Sequence, residues 1–337
     1  MPFTPPCCPY PGCPAASPEL ALEFPMAGTY QRRCDGRLVQ RFRCPRCKRR
    51  FSDQTFRLDY RLRRPELDKP IFDALVSKVS HRQTARVLHT RRPTVERRLR
   101  RFGEHCRAFQ RLLLAGKQVA GSFSLDEAET FETDRRMMPV TLPLLIERDS
   151  RFFVHVDVDT LPARKATTQA QLERRQRLVA ERGKRRNGSR AAVKRCFEVL
   201  AAHTDAKAGV EVLTDKKKSY PSILAEVFGK RPLVHSVTSS KERRDTRNPL
   251  FAINHSLAML RDGVSRLVRR TWGNAKLRER LGLHLWIYAA WRNFVRYVSN
   301  ERRGETPAMA LGLDPRRWTL AELLRWRTPW ALRLRGQ

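Results

Sequence analysis

The sequence predicts a mixed α/β chain with a metal-stapled N-terminal module, a helical segment, and a larger mixed-sheet domain that ends in helices. Three observations lead there. Six of the eight cysteines lie at positions 7, 8, 13, 34, 44 and 47. Between residues 70 and 114 apolar side chains recur at three- and four-residue steps, the period of a helix. After Gly121, strand-like and helix-like stretches alternate. The 337 residues suit about two domains with a small extra module. The expected divisions are 1–57, 66–114, 119–300 and 301–337.

Composition narrows the function classes. Lysine and arginine number 69 against 34 acids, a formal charge of +35. A polyanion is therefore the default partner, because binding phosphates releases condensed counterions. The excess of arginine over lysine, 55 to 14, fits guanidinium forks on phosphate oxygens and a GC-rich genome equally, so it decides nothing. A hydrophobic content of 41% supports a real core and excludes a wholly disordered basic tail. The richest apolar stretch, Gly282 to Trp291, contains His284 and is too short for a membrane helix. The opening MPFTPPCCPYPGC has neither the basic start nor the apolar segment of a secretory signal. The expectation is a soluble intracellular chain with no membrane partner.

Cysteines clustered in such a chain point to metal rather than disulfides. Cys8 and Cys13 have four residues between them and Cys44 and Cys47 have two, the layout of two knuckles of a zinc ribbon with four thiolates around one structural zinc. Cys7 can stand in for Cys8, and Cys34 is a spare thiol. Leu38 to Arg43 reads as a strand carrying one knuckle. Lys48 sits where a glycine often relieves the backbone. A segment this short has little core of its own, so the metal is expected to hold the fold together. Arg41, Arg43, Arg46, Lys48, Arg49 and Arg50 surround it with charge and mark a DNA-contacting piece.

Next, Ile71, Phe72, Leu75, Val76 and Val79 form one helix face. Ser80 suits the N-cap of a short helix over His81 to Leu88, and Pro93 the first turn of a third. There Val95, Leu99, Phe102 and Cys106 make an apolar stripe, with Thr94, Arg97, Arg98 and Arg101 pointing elsewhere. Three helices with short turns, the last basic on its free face, describe a helix-turn-helix reader of the major groove. An ordinary helical connector with a solvated charged face is the plainer reading.

In the large domain, Ser122 to Asp126 alternates, with Phe123 and Leu125 on one face and Ser122, Ser124 and Asp126 on the other. Val140 to Ile146 and Arg151 to Val158 complete an antiparallel meander. A very basic, mostly helical insertion spans 164–206, with a break at Asn187-Gly188. Val210 to Asp215 is a fourth strand ending in an acid, Tyr220-Pro221 opens a helix to about Phe228, and Leu233 to Val237 is a fifth strand. From Pro249 two long helices follow, broken near Trp272-Gly273-Asn274. Trp272, Trp286 and Trp291 read as core, and Trp318, Trp326 and Trp330 as anchors of a helical tail.

That order of elements is the order of a ribonuclease H-like domain. Its chemistry needs carboxylates from separate elements to converge on two divalent cations, which activate the attacking oxygen and stabilise the leaving one. Asp126 and Asp215 are the candidates, although a lone Asp at a strand end is more often a turn residue. The chain resembles the bacterial insertion-sequence transposases of the DDE type, the group that combines a zinc ribbon, a helix-turn-helix and a ribonuclease H-like core. The resemblance rests on Arg41 to Ser52 (RFRCPRCKRRFS), Leu125 to Glu132 (LDEAETFE), Leu213-Thr-Asp215, and the run from Asn254 through Arg261 to Arg266–Thr271.

The resemblance implies DNA cleavage and strand transfer with two Mg²⁺ ions, inverted-repeat and target DNA as partners, a homo-oligomer on DNA, and a cytoplasmic, nucleoid-associated location. It also implies a Glu seven residues before Arg261, where this chain has Asn254. An Asn oxygen can bind Mg²⁺ but brings no charge, so a second metal should bind more weakly. Glu242, Asp245 and Asp262 are nearby acids that can substitute, with His255 adjacent. Asn248 as cap and Pro249 as first residue would put Leu257, Leu260, Val264, Leu267 and Val268 on the buried stripe of this helix, with Asn254, Ala258, Arg261 and Ser265 along its edge. Arg261 and Arg266 are candidates to hold phosphates near the metals, or form a solvated helix face. Glu127 or Glu129 either supports the site or offsets Arg135 and Arg136. Two other functions fit the same scaffold, a non-catalytic DNA-binding protein and a structure-specific nuclease.

Overall fold

The computed structural model describes residues 3–17, 20, 22–239, 242–243, 245–268 and 273–327. Trp272, Trp330 and the Arg269–Thr271 part of the motif lie outside the described residues. The chain is mixed α/β and divides into two compact units, Met1–Phe72 with Thr319–Gln337, and Asp73–Trp318. Among the described residues no helix is long and apolar enough to cross a membrane.

The first unit is built on a small antiparallel sheet, β1 (Met26–Gln31), β2 (Leu38–Arg43) and β3 (Arg50–Ser52), in that order. Its core is mostly sulfur and aromatic. Cys8, Cys13 and Cys44 are buried with Phe24, Phe42, Phe51 and Phe56. The rings meet edge-on or stacked, as Phe42 and Phe51 do at 5.9 Å. Arg327 lies over Phe3 at 3.8 Å and donates to Asp53, so the segment after Thr319 belongs with this unit rather than forming a separate tail.

Helix α1 (Asp68–Leu75) is followed by α2 (His81–Val87) and α3 (Arg92–Leu114). Ser80 caps α2 as its residue type predicts: its hydroxyl accepts from Gln83 N, and the Gln83 side chain accepts from Ser80 N. Pro93 occupies the first turn of α3. That helix is 23 residues long and buries side chains along its whole length, from Val95 to Leu114. Phe109 packs edge-on against Phe294 and Trp318, and Gln110 donates to Phe153 O at 2.8 Å.

The second unit carries the main sheet. Its strands are β4 (Ser122–Phe131), β5 (Pro139–Glu147), β6 (Phe153–Val156), β7 (Asp159–Thr160), β8 (Val210–Asp215) and β9 (Leu233–Thr238). The order is β6-β5-β4-β8-β9, with β7 on β5. β4, β5 and β6 pair antiparallel, the expected meander, while β8 and β9 run parallel to β4. Every residue of β5 is buried, so both faces of the sheet are covered.

The insertion holds α4 (Gln169–Arg182), which buries no residue, and α5 (Ser189–Ala202), which starts after Gly188. Helix α6 (Tyr220–Phe228) starts at Tyr220 as its Tyr-Pro pair predicts. α5 and α6 pack together, with α5 over β5 and β6. The other face takes α7 (Phe251–Gly263) and α8 (Arg278–Phe294). Two short helices, α9 (Pro307–Ala310) and α10 (Leu320–Arg325), complete the described chain. Trp286 is buried as expected, Trp291 is half-buried against Tyr288, and Trp318 donates to Asp314.

Helix α7 is shorter than its apolar pattern suggests. It begins at Phe251 rather than Pro249, because Asn248 folds back and accepts the Leu250 amide. It ends at Gly263, where the chain turns extended at Val264 and forms a 3-10 turn over Ser265–Leu267. A Cβ at Gly263 would lie 2.2 Å from the Tyr288 ring, so α7 and α8 can cross here only without a side chain. A second close crossing joins α3 to α8, where a Cβ on Gly103 would sit 2.5 Å from Leu283 Cβ and 2.7 Å from its carbonyl oxygen. Backbone cannot step aside as a flexible side chain can. Gly103→Ala should therefore cost about 1–3 kcal/mol, read as a lowered urea midpoint.

Candidate active site and metal centre

Four cysteines converge in the first unit. The sulfurs of Cys8, Cys13, Cys44 and Cys47 all lie within 4.8 Å of one another. The Cys8–Cys47 and Cys13–Cys44 pairs are each 3.7 Å apart, far beyond a disulfide. A tetrahedron with metal–sulfur bonds of about 2.3 Å has edges of roughly 3.8 Å, so the cluster has the dimensions to hold a metal such as zinc. Cys8 rather than Cys7 joins the cluster, while Cys7 is buried beside it and Cys34 is exposed.

The local backbone builds the second knuckle. Lys48 N donates to Cys44 O, and Lys48 takes φ +59°, the left-handed conformation its position requires. Burial pushes the Cys8 and Cys13 thiols up. It also acts to raise Cys44, but the amides of Cys47 and Arg46, with the adjacent sulfurs, outweigh it and bring that thiol down to about 7. Four sulfurs this close cannot all ionise without a cation among them. Cys44→Ser should remove one bound metal per chain and loosen residues 3–56. Metal analysis with amide exchange would show this, with protection of the main sheet unchanged.

The second site opens on the main sheet. β4 and β8 are parallel with Leu125 opposite Thr214, so the next residues, Asp126 and Asp215, fall side by side on one face. Their side chains line a cleft of about 470 Å³ with Asn254, Ala258 and Arg261 of α7 across from them. Ser239, Asn248 and His255 complete much of the wall. The three candidate residues thus meet in one place.

The electrostatics record the same proximity. Burial, then the Asp215 charge, raises the Asp126 carboxyl to about 6, against the pull of the Glu127 amide and of Arg261. That amide donates to Asp126 Oδ1 at 2.7 Å, and Lys217 N donates to Asp215 Oδ1 at 3.1 Å. Asp215 is thus a turn residue and a cleft residue at once.

Glu242, Asp245 and Asp262 do not line this cleft. Glu242 accepts from Ser239 N, Asp245 from Arg247 N, and exposed Asp262 pairs with Lys78. Glu127 is the third acid at the cleft, but its side chain serves the far face of β4. There it accepts from Ser189 Oγ at 2.7 Å, Thr141 Oγ1 at 2.9 Å, Tyr220 Oη at 3.1 Å and Lys217 Nζ. Glu129 pairs with Arg164, not with Arg135 or Arg136. Sequence reasoning named Glu127 but missed Tyr220, Ser189 and Lys217, which no local motif marks.

The basic candidates separate. Arg98 is 5% exposed, which removes it from any free helix face. Three residues after Val95 and four before Phe102, it falls within the buried stripe itself. Arg97 is exposed and donates to half-buried Thr94, and Arg101 is half-buried. Arg41 lies over the Tyr30 ring at 4.7 Å, and exposed Arg43 donates to Lys48 O. Arg261 lines the carboxylate cleft as expected. Arg266 does not, because α7 has ended before it. It lines a different cleft with His81 and Arg92.

Comparison with known proteins finds no matching family model and no matching curated protein.

The fold favours a protonated Asp126, since its folded value lies above the ordinary aspartate value of about 3.9. That contribution to stability is complete below about pH 4 and is lost as pH rises through about 6. With no added divalent cation, Asp126→Asn should therefore melt about 2–4 °C above the unsubstituted chain at pH 7.5, the gap closing by pH 4. Calorimetry across that range checks it.

Proposed function

We propose that this chain is a DNA transposase, or derives from one, and that the cleft between β4, β8 and α7 carries its cleavage and strand-transfer chemistry. The observation that carries the reading is the meeting of Asp126 and Asp215, from adjacent parallel strands, with Asn254 on a helix across the cleft. The strand order supports a ribonuclease H-like reading, with three antiparallel strands followed by two parallel ones. Asp126 and Asp215 would hold Mg²⁺, which supplies the polarisation of a phosphodiester. Asn254 would be a neutral third ligand and Arg261 a phosphate contact. The cysteine cluster would hold zinc, and exposed Arg97 and Arg43 would contact DNA backbone.

A charge of +35 supports a nucleic-acid partner. A homo-oligomer holding two element ends follows from this reading and not from the fold. Asn254 favours one other reading. With two carboxylates where the resemblance implies three, the scaffold would also serve as a DNA-binding protein that does not cut.

The test is strand transfer with end-containing DNA and Mg²⁺ or Mn²⁺. Asp126→Ala and Asp215→Ala should reduce joining to background. Asn254→Glu, by adding a charged ligand, should lower the Mg²⁺ needed for half-maximal rate by about tenfold. DNA that shifts in a gel but is never cut, with Asn254→Glu as well, would leave only the binding protein.

A further inference from the structure

The cleft that takes Arg266 is the more unusual of the two in its charge. It encloses about 740 Å³ within the second unit, and Lys78, His81, Arg82, Arg92, Arg266 and Lys276 line it. No acidic side chain lines it among the described residues. Arg82, Arg92 and Lys276 are exposed at its mouth. Lys78 is paired with Asp262 at 2.7 Å, and Lys276 donates to Asn274.

Arg266 is the anchor of this arrangement. It is 9% exposed, and among the described residues its Nε has no hydrogen-bond partner. Among the described residues its Nη2 reaches only His81 Nε2, at 3.4 Å. Burial brings its guanidinium down to about 10; the Glu96 charge raises it, and Arg280 and Arg92 lower it further. Glu96 is already paired with Arg280 at 3.1 Å. Burial, then Arg266 and the cations around it, holds His81 down to about 3, so that ring is neutral at ordinary pH.

A guanidinium taken out of water beside other cations, its nearby acid Glu96 already shared with Arg280, is a costly arrangement. An anion in the cleft reverses that cost. A phosphate offers the oxygens that a planar guanidinium fork grips best. Arg92 also opens α3, the helix that presents exposed Arg97 further along.

We propose that this cleft is a phosphate site occupied by a backbone phosphate of nucleic acid, with Arg266 as its buried anchor and Arg82, Arg92 and Lys276 around its mouth. It rests on the nucleic-acid part of the reading above but needs no cleavage chemistry.

The test uses the full chain without added magnesium. Inorganic phosphate should raise the thermal midpoint above that in chloride of equal ionic strength, and Arg266→Met should abolish the rise while melting no lower than the unsubstituted chain. Affinity for a duplex of about 20 base pairs should fall about tenfold in Arg266→Met near 100 mM salt. In Arg82→Gln, an exposed change that leaves the core intact, the slope of log affinity against log salt should shrink by about 1. A phosphate effect with unchanged duplex binding in both variants would overturn the nucleic-acid assignment and leave a small-anion site. No phosphate effect and no change in either variant would overturn the site altogether. A chain that binds duplex through Arg266 yet never joins DNA leaves this proposal standing and removes only the transposase reaction.

Discussion

The register of one parallel strand pair governs the large unit. Leu125 opposite Thr214 is the last pairing of β4 with β8, and the two aspartates follow it on the same face. A slip by one residue would turn one carboxylate to the other face, because side chains alternate along a strand. The register is held from both strands. Leu125 and Leu213 are buried, and Ser124 Oγ donates to Leu213 O at 3.1 Å. Placement of two acids far apart in sequence is therefore a consequence of core packing rather than of any attraction between them. Their mutual repulsion, together with burial, is what raises Asp126.

Much of this was legible in the chain itself. Strand β2 and helix α6 begin and end where their residue pattern and their Tyr-Pro start indicate, and Ser80 as N-cap marks the start of α2. These are local signals, and local chemistry fixes them. The meeting of Asp126 with Asp215 was legible only through an assumed strand order, and the choice of Cys8 over Cys7 not at all, since adjacent residues have the same spacing to Cys13 within one position. The apolar pattern after Pro249 read as one helix with a buried stripe running to Val268. What it could not reveal is that Tyr288 leaves room at position 263 for no side chain, and that the turn which follows carries Arg266 to a different cleft. Arg98 misled for a similar reason: a helix face chosen by charge ignores that i+3 from one core residue and i−4 from another is core.

The two units solve stability differently. The first has few aliphatic side chains in its core, and its order depends on aromatic rings around four sulfurs. The second buries a continuous sheet between helices and contains its polar groups in closed sets. Asn293 illustrates this: its amide accepts from Phe153 N and donates to Phe153 O and Gln110, so a fully buried side chain leaves no group unmatched. Arg266 departs from that pattern, as do Arg148, Arg280 and His284, each of which keeps a buried nitrogen without a hydrogen-bond partner among the described residues.

Lys217 ties the rear of the sheet to its front. Its amide steadies the Asp215 carboxylate, while its ammonium joins Ser189 and Tyr220 around Glu127, whose own amide steadies Asp126. One residue outside the cleft wall therefore touches Asp215 directly and, behind the sheet, the side chain of the residue whose amide holds Asp126. Changes behind the sheet, in α5 or α6, can therefore reach the geometry of the front without altering any residue that lines the cleft.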